Sequence, residues 1–227
     1  MDCVLLYGQR TSELPLSAHR ARSARSLAEL THLLVSEPDV LCLVLEAGVE
    51  LPDGFLESLK ASFSVLPVFL VPGGASAGEL AELGARIGSL RRTERRRQHR
   101  FDWPLRGSLS LPGAEAQAYD LRALSASGAF LHCPGPCPAA GSRGHLRVLF
   151  RDFSLETGCE VLDTRRASSR LPDGFGVRFA GLTAEARALL ERIVRDALVR
   201  TLLEPESDPP LPSLAEEDLL PGEFQPL

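Results

Sequence analysis

Six arginines, Arg91, Arg92, Arg95, Arg96, Arg97 and Arg100, fall within ten residues of a chain whose formal charge is −5. A guanidinium offers a rigid fork of donors that fits a phosphate bidentately and matches the O6/N7 edge of guanine equally well. The cluster reads as an anion site. Nucleic acid is one taker for such a site, but the run lacks interleaved aromatics and the remainder of the chain is acidic. A nucleic-acid module spreads its basic face more widely. A second group, Arg165, Arg166 and Arg170, falls in an expected loop and reads as solvated.

Other residues with chemical potential lead to less. Cys133-Pro-Gly-Pro-Cys137 beside His132 has the outline of half a zinc site, but there is no second pair of ligands, so it reads as a turn. The five histidines are scattered, and no Ser/His/acid order, phosphate-binding G-x-x-x-x-G-K loop or H-x-x-x-H pair is present, so turnover is not expected. Asp152, Glu156 and Glu160 read as an exposed edge. The five cysteines, odd in number, suit reduced thiols and a cytoplasmic setting. No apolar run reaches the roughly 20 residues of a membrane-spanning helix, and the opening Met1-Asp2-Cys3 has no basic n-region, so neither membrane insertion nor a secretory signal is expected.

The elements that must position the arginines change character along the chain. Over residues 1–90, apolar runs at Val4–Tyr7, Val40–Leu45 and Leu66–Val71 alternate with helical spacings at Leu27/Leu30/Leu33/Leu34, Phe55/Leu56/Leu59/Phe63 and Leu80/Leu83/Ile87/Leu90. Strands alternating with helices predict βαβ units and a parallel sheet. Residues 91–100 form the arginine-rich arm or linker. From 101 the period shortens to strand-like runs at Trp103–Leu111, Ala118–Leu121, Gly128–His132, His145–Phe150, Cys159–Thr164 and Phe175–Phe179, which predicts a small barrel or sandwich. Thr183 then caps a helix whose apolar face includes Leu189, Leu190, Ile193, Val194 and Leu198. Residues 203–227 are acidic and proline-rich, a composition expected to stay disordered.

The first segment resembles a shortened, degenerate response-regulator receiver domain, through Glu37-Pro-Asp-Val-Leu-Cys-Leu-Val-Leu-Glu46 and Leu51-Pro-Asp-Gly54. The resemblance puts Glu46 where that family carries its phosphoacceptor aspartate. The acidic pair for magnesium and the closing lysine are missing, which implies a docking scaffold without phosphorylation. A small α/β domain of unassigned family remains the alternative.

Three further features fall in order. Arg96 and Arg100 stand in an R-x-x-x-R spacing before the first barrel strand, Ser125 and Gly128 follow the second strand, and Gly174-Phe-Gly-Val-Arg-Phe179 is the last strand before the helix. Together they resemble the PilZ domain, over roughly residues 91–200. The resemblance implies a six-stranded β-barrel with a C-terminal helix over 101–202, joined to a receiver-like (flavodoxin-like) α/β domain over 1–90. It also implies a cyclic di-GMP site formed by Arg95, Arg96, Arg100, Ser125 and Gly128, with no cofactor and no metal. The family's second motif opens with Asp or Asn, whereas this chain has Ala123. Two readings follow: a cytoplasmic cyclic di-GMP effector acting on motility, polarity, pili or biofilm through a regulatory or motility protein, or a protein-interaction adaptor that binds no nucleotide.

Overall fold

The computed structural model describes residues 2–37, 39–63, 66–90, 101–165, 173–205, 211 and 223–227. The chain divides into two compact units, one of residues 1–97 with 198–208, the other of residues 98–197 with 209–227.

The first unit is built on a parallel sheet. Its strands are β1 (Cys3–Tyr7), β2 (Arg20–Ala24), β3 (Val40–Glu46) and β4 (Val68–Val71), in the order β2-β1-β3-β4. Helix α1 (Leu27–Ser36) joins β2 to β3, α2 (Phe55–Ser62) joins β3 to β4, and α3 (Ala77–Ser89) follows β4, while β1 reaches β2 through a single 3-10 turn at Arg10–Glu13. β3 is central and buried from Leu41 to Leu45, as its unbroken apolar run requires of a strand covered on both faces. Val4, Leu6, Cys42, Val44 and Val71 form one core with Leu80 and Ile87 of α3. Ser26 caps α1 by accepting from the Glu29 N–H at 3.1 Å, and Ser76 with Glu79 forms a capping box at the start of α3. This order begins the flavodoxin-like order 2-1-3-4-5, so the unit is compatible with a receiver-like domain.

The second unit is an antiparallel barrel of β5 (Leu105–Ser110), β6 (Gln117–Ser125), β7 (Gly128–His132), β8 (Arg143–Leu149), β9 (Phe153–Arg165) and β10 (Gly174–Ala180). The order β10-β7-β6-β5-β8-β9 closes because β9 also pairs with β10, so six strands form a ring. Leu105, Leu109, Leu121, Leu131, Leu146, Val148, Leu155, Val161, Phe175 and Val177 alternate inward and are buried. Phe101 and Trp103 pack in the same core, with ring centroids 4.5 Å apart and planes tilted by 53°. Helix α4 (Ala184–Leu203) starts at Thr183, whose hydroxyl accepts the Ala186 N–H at 3.1 Å, the cap expected from sequence.

Three elements depart from expectation, the first being β9, which begins at Phe153 and not at Cys159. The polar stretch before α1 is partly strand, because β2 pairs in register with all of β1 and needs no apolar pattern at a sheet edge. Phe224–Pro226, within the segment expected to be disordered, forms β11 on β9. Phe224 is buried against Phe153 at 5.8 Å between centroids, and this contact outweighs the polar composition around it. Residues 206–210 and 212–222 of that segment lie outside the described residues.

Candidate functional site

Strand register lays the second motif onto the outer wall of the barrel. Because side chains alternate along each strand, three outward rows cross β6, β7, β10 and β9. One runs Ser125–Gly128–Arg178–Glu160, the next Ala123–Phe130–Gly176–Asp163, and the third opens Asp120–His132–Gly174. This wall is low in the middle. Gly176 carries no side chain and has open space over it, Ala123 carries only a methyl, and the half-buried Phe130 lies beside them with its ring over the buried Gly174. Its rim is polar, with Asp120, His132, and Arg178 bonded to Glu160 at 3.0 Å.

The structure brings Ser125 and Gly128 together at the β6–β7 hairpin. Ser125 is buried, and its hydroxyl donates to the Gly128 carbonyl at 3.1 Å and accepts from the Ser127 N–H at 3.4 Å. It shapes the turn, while the exposed Ser127 faces solvent. Gly128 is fixed by close approach, since a Cβ there would sit 2.1 Å from the Val177 carbonyl oxygen.

One feature was not foreseen from sequence. A bulge between Leu121 and Ala123 shifts the β6 register. Residues three apart on a regular strand face opposite ways, but the extra residue returns Asp120 to the same outer wall as Ala123. The two lie one row apart, a two-residue step of about 6.7 Å along the partner strand from Phe130 to His132. The sequence holds no signal for this beyond the apolar residues Leu121 and Leu124 at odd separation.

Arg95, Arg96 and Arg100, with the rest of the arginine run, lie outside the described residues. The residue after the run does not. Phe101 makes a two-hydrogen-bond bridge with Leu124, each N–H donating to the other's carbonyl at 2.9 Å. The chain leaving the run is thus bonded to β6 between Ala123 and Ser125.

Elsewhere the arrangement is structural. Cys133 and Cys137 are free thiols in the Pro-Gly-Pro turn, each within 3.7 Å of the Gly135 carbonyl oxygen. Burial, together with the neighbouring Cys133 thiol, pushes Cys137 up to about 11. Among the described residues there is no cluster of metal-ligating side chains and no helix long and apolar enough to cross a membrane. A groove of about 690 Å³ lies on another part of the barrel, lined in part by Ser108, His145, Arg147 and Glu156, and touches none of the motif residues. At the carboxyl ends of the parallel strands, the position expected to match a phosphoacceptor is taken up internally. Glu46 Oε2 accepts the Arg10 N–H at 3.0 Å, and the Arg10 guanidinium donates to the carbonyls of Gly73 at 2.6 Å and Ala75 at 2.9 Å.

A family model described as the PilZ domain matches residues 94–196. No curated protein matches the chain. Among solved structures, the inhibitor of motility MotI/DgrA of Bacillus subtilis is 16% identical, with TM-score 0.41, covering 46% of this chain and 51% of that one. The present chain therefore covers only about half the length of that relative. The PilZ domain of Escherichia coli YcgR with c-di-GMP is 19% identical, with TM-score 0.37, covering 50% and 94%. The K. pneumonia MrkH–c-di-GMP complex is 13% identical, with TM-score 0.42, covering 48% and 54%. The six-stranded closed barrel followed by a helix agrees with the family match: residues 94–196 of this chain are a PilZ domain.

Proposed function

We propose that this chain is a cyclic di-GMP effector, in which the outer wall of β6, β7 and β10 receives the ligand and the arginine run closes over it. The observation that carries this reading is the Phe101–Leu124 bridge beside Ala123, Ser125 and Gly128. Arg100 is covalently next to Phe101, and Arg96 is five residues from it, a reach of at most about 18 Å. Both guanidinium groups can therefore be delivered to a dianionic ligand on the wall. Arg96 and Arg100, with Arg95 as a third, would take phosphates and guanine Hoogsteen edges. The low centre of the wall admits a flat base against Phe130, and Ser127 stands at the open side of the hairpin.

The contact at Ala123 is the weak point. A missing charge-assisted acceptor for guanine N–H groups costs about 1.5–3 kcal/mol, or one to two decades of affinity. Asp120, returned to the same wall by the bulge, supplies a carboxylate one row away. No enzymatic step is assigned to this arrangement. The effector would act from the cytoplasm through protein contacts, on motility, polarity, pili or biofilm.

Calorimetric titration of the full chain with cyclic di-GMP tests the reading. Heat of binding is expected for the native chain and none for Arg96→Ala combined with Arg100→Ala. A silent native titration at high micromolar ligand overturns it. Ala123 favours a second reading, an adaptor without nucleotide. That reading gains if only the Ala123→Asp chain binds.

A further inference from the structure

Strand β10 covers only part of its neighbour. It pairs with β9 from Arg165 back to Gly158, and Gly181, with φ 89°, then turns the chain off toward α4. The lane beside Phe153–Thr157 of β9 is filled instead by β11, whose Phe224, Gln225 and Pro226 pair with Leu155, Ser154 and Phe153. Glu156 donates its N–H to the Glu223 carbonyl at 2.7 Å, and Leu227 donates its N–H to the Asp152 carbonyl at 3.2 Å. The Glu223 carboxylate accepts the Thr183 N–H at 3.1 Å, at the positive end of α4. Phe224 is buried, while Gln225, Pro226 and Leu227 are exposed. The lane therefore selects a carboxylate at the start of α4, an aromatic ring in the core, and an extended backbone on which Pro226 sits at an edge, where proline is tolerated. None of these contacts requires covalent continuity with the rest of the chain.

We propose that this lane is a strand-addition site for a partner protein's segment of the form acid–aromatic–any residue–proline, with the chain's own Glu223–Leu227 as its competing occupant. Strand addition draws affinity from main-chain bonds and specificity from pockets for alternate side chains. The chain's own segment shows which chemistry the lane accepts. Its hold is slight, because a three-residue strand anchored by one buried ring opens at low cost. A groove of about 690 Å³, lined in part by Thr157, Gly158, Ala180, Gly181 and Glu223, continues the lane between Glu223 and the end of β10. A partner thus has room for the residues that precede its acid. The inference supplies a surface for protein contacts and does not depend on nucleotide binding.

Titration of a labelled peptide of residues 222–227 into the full chain, without nucleotide, tests it. In the native chain the tethered segment competes at roughly millimolar effective concentration, so the peptide is expected to bind Phe224→Ala about tenfold or more tightly than native. A peptide with alanine in place of its phenylalanine should bind neither. Gln225→Pro is the second variant. It removes an N–H from the strand while keeping Phe224, and should likewise admit the peptide. Trp103, the sole tryptophan, reaches Phe224 through Phe150 and Phe153, with successive centroids 6.5, 4.4 and 5.8 Å apart. Its emission should shift in Phe224→Ala and return toward native as the peptide fills the lane. Failure of the peptide to bind either variant overturns the inference. A native chain that dimerises in sedimentation, and loses the dimer in Phe224→Ala, assigns the lane to a second copy's segment and overturns the proposed occupant.

Discussion

The backbone N–H of Arg10 and the carboxylate of Glu46 meet at 3.0 Å at the carboxyl ends of β1 and β3. Open α/β sheets keep their ligand crevice at that end. Here the approach leaves no room even for a methyl group on Gly8, whose Cβ would lie 2.3 Å from that of Glu46 and whose φ is 118°. The guanidinium of the same arginine ties in the loop after β4.

Arg10→Ala removes two bonds to loop carbonyls and should cost about 1–2 kcal/mol, read as a drop of several degrees in the melting temperature of the full chain. Incubation of the native chain with a small phosphoryl donor and magnesium should leave its intact mass unchanged. A mass increase assigned to Glu46 would contradict the internal use of that carboxylate.

Asp120 and Ala123 make opposite predictions on one wall. Ala123→Asp should tighten cyclic di-GMP binding by about one to two decades, and Asp120→Ala should weaken it by a similar factor. Calorimetry on both variants checks this. Equal affinities for Asp120→Ala and the native chain would show that Asp120 makes no contact.

The open space over Gly176 separates ligand effects from fold effects. A Cβ there meets nothing within 4 Å, and Val suits a strand. Gly176→Val should keep the native circular dichroism spectrum and melt while losing ligand heat. Gly128→Ala drives its Cβ into the Val177 carbonyl and should destabilise the barrel by more than about 4 kcal/mol.

Burial raises Cys159 to about 11 and Cys42 to about 12, from a usual value of 9.0. The folded chain then keeps protons that the unfolded chain releases, so stability is full below about pH 9 and falls as pH rises toward 11 and 12. Urea midpoints measured from pH 8 to 11 should decline, and Cys159→Ala should flatten part of that decline. Cys137, also raised to about 11, should react with iodoacetamide at pH 8 roughly 100-fold more slowly than an unperturbed thiol. Its rate should climb about tenfold per pH unit.

Much of the architecture was legible because periodicity and burial coincide. The run Val40–Leu45 is buried as read, and β7 spans the expected Gly128–His132. Helix α1 begins one residue after the Ser26 cap, at the leucines whose spacing announced it. The rest was hidden where another force replaces side-chain pattern. β2 is held by backbone pairing to β1 while its side chains point arginines at Glu37. The first half of β9 buries Ser154 and Thr157, which breaks the apolar alternation and masks the strand before Cys159. Ser125 and Gly128 were placed together by motif spacing alone, but the kinship of Asp120 with their wall depends on a register shift that no residue type in β6 announces.

That shift has a wider meaning for recognising such chains by their letters. A fixed-spacing signature assumes an even beat, in which parity of position decides which side a residue belongs to. Around Arg122 the parity inverts, so everything upstream on that strand is out of phase with the string that would be searched for. An acid group absent from a one-dimensional motif can then still stand on the same wall in three dimensions, as Asp120 does beside Ala123.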